Sequence, residues 1–168
     1  MDGARPRRHT SRALLTVETY LGKPVAAVEV TSPVDYFRLS LASVGDPAAV
    51  AQRGRDAGTV LGDEVPQAIG AIADRVRARV RAASEDDLVA TPVGGMRLAD
   101  YLPTRIFELT VHTCDLATAL GEQFEVPQAA GVESLSLVGE LAARAGRAGP
   151  LLRAATGRGG LPNGFTVL

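Results

Sequence analysis

Between Ser11 and Leu21 the apolar residues fall at Ala13, Leu14, Val17 and Leu21, the three-to-four spacing that turns one face of a helix toward a core. The pattern predicts a first helix over 11–21, closed by Gly22 and Pro24, which do not continue a helix. Ser32-Pro33 supplies an N-cap and a residue whose fixed φ suits the first helical turn, so a second helix is expected over 34–42. Asp46-Pro47 repeats that signal, but Gly54 and Gly58 interrupt the weak helical pattern after it, and 48–61 reads as a broken segment. The clearest amphipathic stretch is 63–83, where Val65, Ile69, Ile72, Val76 and Val80 form one stripe. Arg75, Arg77, Arg79 and Arg81 occupy its other faces. Arginines two apart diverge around a helix, so they read as a solvated surface and not as an anion-binding row. Thr91-Pro92-Val93-Gly94-Gly95 is turn-like, and the next helix either begins near Pro103 or is kinked there. A last helix is expected over about 128–145, giving way to a Gly-rich tail, GRAGPLLRAATGRGGLPNGF.

Composition narrows this to a class. A chain of 168 residues suits one domain with a core of its own. Hydrophobic residues make up 46% and aromatics only 4%, with no Trp, so the core is assembled from Ala, Leu, Val and Ile. That favours packed helices over a sandwich of sheets. The expected architecture is all-α, an up-and-down bundle of four main helices with functional side chains projecting inward. A formal net charge of -1 gives no global field to draw in nucleic acid or an anionic membrane, and neither partner is expected. No run of 18 apolar residues and no export signal is present. The single cysteine, Cys114, rules out an intrachain disulfide and a four-cysteine zinc site, and fits a reducing, cytoplasmic compartment.

Chemistry concentrates in FELTVHTCDLATALG, residues 107–121. Glu108 and His112, four apart, share a helix face with Asp115 one turn on, so two ligand atoms can reach one ion. The spacing alone equally describes a surface ion pair. A metal needs a third ligand, and the one other histidine is His9. If its helix packs beside the Glu108 helix, His9 completes a His/Glu/His set that leaves a coordination position open for substrate. Otherwise it belongs to the basic tail RPRRHTSR. Cys114 lies about 200° round the helix from His112 and is expected to be buried and inert. Arg105, one turn before Glu108, can pair with it as an exposed i,i+3 ion pair. Arg12 sits one turn from His9 and either meets an anionic thiol cosubstrate or faces solvent. Gly157-Arg158-Gly159-Gly160 lacks the Lys-Ser/Thr of a phosphate loop and reads as a turn.

The run DYLPTRIFELTVHTCDLATALG, with TPVGGMRL before it and TGRGGLPNGF after it, resembles the mycothiol-dependent maleylpyruvate isomerase family, as does HTSRALLTVETYL near the N-terminus. The resemblance implies a DinB-like four-helix bundle that binds a divalent metal, zinc (Zn2+) by expectation. It makes His9, Glu108 and His112 the metal ligands, and Asp115 a carboxylate that contacts the ligating histidine. It further implies mycothiol as thiol cosubstrate, an electrophilic small-molecule substrate, and an isomerase or thiol-transferase activity in which the thiol adds to a cis double bond, the bond rotates, and the thiol leaves. Arg12 is the residue assigned to the thiol. The bundle is expected over 9–146, between a basic tail of 1–8 and a Gly-rich tail of 147–168. Only eight residues precede His9, without the Gly-Trp segment of the family, so the N-terminus is expected to be truncated. A non-catalytic helical bundle with a degraded metal site is the alternative.

Overall fold

The structure is a computed structural model that describes residues 4–43 and 64–168, with the backbone alone for residues 4–10. The Asp46-Pro47 signal and the broken segment expected over 48–61 lie outside the described residues. Six helices and a hairpin come in the order α1 (Ala4–Leu21), α2 (Pro33–Ser43), α3 (Val65–Ala82), β1 (Leu88–Thr91), β2 (Gly94–Arg97), α4 (Leu98–Leu120), α5 (Gln128–Arg144) and α6 (Ala148–Ala155).

The apolar pattern places these elements for the reasons it suggests. In α1, Ala13 and Val17 are buried while Leu14 and Leu21 pack partly covered against the same core. α2 starts as expected: the Ser32 hydroxyl accepts the Asp35 backbone N–H at 3.1 Å and itself donates to the Asp35 carboxylate at 2.7 Å. That reciprocal cap aims Tyr36 and Phe37 inward. The α3 stripe is covered, with Ile72 and Val76 buried and Val65, Ile69 and Val80 packed against the core. Each fully buried aliphatic side chain is worth about 1.5–3 kcal/mol, which makes this stripe the main hold on α3. Its cover is α1, the helix that also packs most extensively on α4, and α4 in turn carries α5. α4 begins at Leu98, earlier than Pro103, because Arg97 bonds Asp100 at 2.7 Å across the first turn. Pro103 is accommodated inside it. Its far end stops at Gly121, whose φ of 71° allows Glu122 N–H to reach back to the Ala117 carbonyl at 2.9 Å.

Two expectations are refined. The described residues are mostly helical with one small two-stranded sheet, and the turn-like stretch 91–95 is the tip of its antiparallel hairpin, which pairs Val89 with Met96 and Thr91 with Gly94. Its strands are four residues long and half glycine on one side, too short for a period to show. They are strands because Val89 and Met96 bury completely among α1 and α4. Gly95 docks on the connection after α1: its carbonyl accepts the N–H groups of Glu29 and Val30 at 2.9 and 3.0 Å. A Cβ there would overlap the Ala27 carbonyl oxygen. Within the stretch expected as a Gly-rich tail, Ala148–Ala155 forms α6, a helix with no buried residue.

Candidate functional site

α1, α2 and α4 enclose a cavity of about 310 Å³ lined by Arg12, Ala13, Thr16 and Tyr20 of α1, Tyr36 of α2, and Arg105, Glu108 and His112 of α4. On α4 the positions 105, 108 and 112 share one face because three and seven residues are close to one and two whole turns. A larger and more open depression lies at Leu21, Arg79, Ala82, Ala83, Asp87 and Leu88. It gathers no comparable chemistry.

One end of the cavity is the expected pair. His112 Nε2 lies 3.0 Å from a Glu108 oxygen, and His112 Nδ1 lies 3.5 Å from Asp115, whose side chain is 60% exposed. Burial alone would lower the His112 pKa. The hydrogen bonds and charges of Glu108, then Asp115, outweigh it and raise the value above the ordinary 6.5. Tetrahedral zinc with bonds of ~2.0–2.2 Å holds neighbouring ligand atoms roughly 3.3 Å apart. The Glu108 oxygen and His112 nitrogen therefore already sit near the separation that an ion would impose. Among the described residues no set of three His, Cys, Asp or Glu side chains converges on one point. His9 lies on α1, where its backbone position precedes Arg12, Ala13 and Thr16 by one to two turns on the helix face that lines the cavity; its side chain is outside the described residues.

The other end is not legible as a site in the sequence. Arg105 does not pair with Glu108 as the spacing suggests; it is buried, 8% exposed, and turned toward aromatic rings. Its guanidinium lies 4.9 Å from the Tyr101 ring centroid and 5.4 Å from that of Tyr36. Nε donates to Thr104 Oγ1 at 2.9 Å, and Nη2 donates to the Tyr36 hydroxyl at 3.4 Å. Tyr101 in turn lies 5.8 Å from both Tyr20 and Tyr36, so all three tyrosines of the chain gather here. Burial pushes the Tyr101 hydroxyl strongly up, against a small lowering by the Arg105 charge. In a chain with 4% aromatics, the one signal is Tyr101 standing a helical turn before Arg105.

Arg12 is partly covered and lines the cavity, as an anion-facing residue would. Cys114 is half-buried, less covered than expected, and does not line the cavity.

The family model described as mycothiol maleylpyruvate isomerase N-terminal domain matches residues 7–117, about two thirds of the chain. Neither the curated proteins nor the solved structures supply a match.

Proposed function

The chain belongs to the mycothiol maleylpyruvate isomerase N-terminal domain family, and on that premise we propose that it is a divalent-metal-binding domain that activates mycothiol toward an electrophilic small molecule. The bundle is of the DinB-like, up-and-down type, with the ligands facing inward. Glu108, His112 and His9 hold the metal, zinc in this reading, and Asp115 orients His112 through its second ring nitrogen. The observation that carries the proposal is the 3.0 Å convergence of Glu108 and His112 on a cavity whose opposite wall is the α1 face bearing Arg12.

When bound, zinc supplies a dication that lowers the pKa of a thiol to the point where the thiolate is available at neutral pH. The chain's own residues do the remainder. Arg12 meets the negative charge of the thiol cosubstrate, Asp115 keeps the His112 ring in place, and the apolar walls at Ala13 and Tyr20 exclude water from the thiolate. The outcome is isomerisation where the added thiol leaves again and thiol transfer where it stays. A cytoplasmic location belongs to the same reading, because a free thiol cosubstrate requires a reducing compartment; no helix among the described residues is long and apolar enough to cross a membrane.

Zinc titration with metal analysis of the wild type, His9→Ala and His112→Ala, and then measurement of mycothiol consumption with unsaturated keto acids, tests the proposal. One zinc per chain, lost in both variants, is the expected result. A wild-type protein that takes up no zinc would be a non-catalytic helical domain instead.

A further inference from the structure

Arg105 is a charge in the wrong place unless something anionic comes to it. Among the described residues no carboxylate pairs with it, although it is 92% covered, the complement of its 8% exposure. Taking an ion out of water costs several kcal/mol unless a counter-charge and hydrogen bonds replace the hydration. The rings of Tyr36 and Tyr101 offset part of this through their π faces. Its hydrogen bonds to Thr104 and Tyr36 use two of the five guanidinium N–H groups. Donors that no described residue takes up, a positive charge, and a place in the wall of a cavity together describe a waiting anion site.

We propose that Arg105 is the substrate-recognition residue of this cavity and that its ligand is the carboxylate of a short-chain organic acid. A carboxylate matches the planar fork of a guanidinium with two parallel N–H···O bonds. The stacked rings fix that fork in one plane, so little order is lost on binding. Arg105 stands one turn from Glu108 and two from His112, roughly 4.5 and 10.5 Å along the helix axis. An acid whose carboxylate lies against Arg105 therefore extends its reactive carbon toward the Glu108–His112 end after a few bonds. The volume, about 310 Å³, is at the small end of ligand cavities and suits a compact acid. Arg12, partly exposed on the facing helix, is left for the second reactant. The inference rests on reading this cavity as the substrate cavity, but it does not require the metal.

The test uses the full chain, metal-stripped and zinc-loaded, titrated with succinate and with its neutral diamide by calorimetry. The Arg105 Nε–H resonance is monitored in parallel in the unmodified protein. Succinate should bind and shift that resonance saturably, and the diamide should not. Arg105→Met should weaken succinate binding at least ~10-fold, as expected for loss of a charge-assisted bidentate contact. Arg105→Lys, which keeps the charge without the fork, should recover part of it. Zinc uptake should be unchanged in both variants. If the metal proposal alone fails, zinc is not taken up while succinate still shifts Arg105. This inference is overturned if succinate leaves the Nε–H resonance unmoved in both metal states, or if a folded Arg105→Met binds it like the wild type. The wild-type resonance decides the matter even where the Met variant does not fold.

Discussion

The two ends of the cavity, Arg105 and His112, stand about two helical turns apart on α4 and solve opposite electrostatic problems. Around Arg105 the surroundings are aromatic and buried, with a single cation and no carboxylate pairing among the described residues. Around His112 they are half-covered and acidic, with Glu108 and Asp115 both in reach. On the proposals made above, the second end is the place for a metal ion and the first for an organic anion. The contrast teaches that one helix face can present opposite electrostatic surroundings two turns apart on a protein of nearly zero net charge.

The comparison breaks most completely if its aromatic end is emptied. Tyr101 is fully buried and supports both Tyr20 and Arg105. Tyr101→Ala should therefore cost about 3–5 kcal/mol in denaturant unfolding, the range for truncating a buried aromatic. Next in size, His112→Ala should reduce zinc affinity ~100-fold or more while Cys114→Ala leaves it unchanged, as read by competition with a chromophoric chelator. Zinc retained in the first variant, or lost in the second, would move the site elsewhere on α4.

A smaller effect sharpens the acidic end. In metal-free protein the His112 pKa is raised, so the folded state holds the proton more tightly than the unfolded chain. The resulting stabilisation is fully present below the unfolded value of about 6.5 and is lost as pH rises through the folded value. Glu108→Gln removes the strongest raising influence, so the NMR titration midpoint should fall and this pH dependence should shrink. The smallest effect is a control remote from the cavity. Arg75 bonds Glu18 at 2.9 and 3.0 Å, but its side chain is 56% exposed, and Arg75→Gln should change stability by only about 0.2–1 kcal/mol.

Features legible in the sequence rest on local physics, and the hidden ones depend on tertiary contact. The α3 stripe, the Ser32-Pro33 start of α2 and the pairing of Glu108 with His112 are each encoded within a few residues, and each is present. The hairpin is hidden because its stability comes from burying Val89 and Met96 under helices that are remote in sequence. α6 is hidden by its glycine-rich surroundings, which carry the signature of irregular chain. Arg105 misleads for a related reason. One turn from Glu108, its local partner is a carboxylate, whereas the ring of Tyr36, 69 positions away, wins in the fold. His9 stands out through the scarcity of histidine and through resemblance, and its backbone lies on α1 while its side chain is outside the described residues.

Gly95 ties the molecule together in a way that bears on its breathing motions. Its amide donates to the Glu29 carboxylate at 3.0 Å across 66 positions, and its carbonyl takes the amides of Glu29 and Val30 in that extended connection. Tyr36, the roof over Arg105, sits only a few residues beyond this clasp. If the roof and the hairpin tip open together, the clasp must break in the same event. The amides of Val30 and Gly95 should then exchange with solvent as one cooperative unit, slower than the exposed C-terminal end of α2 and faster than the centre of α4. Exchange of the two amides at clearly different rates would show that the hairpin tip and the connection open separately.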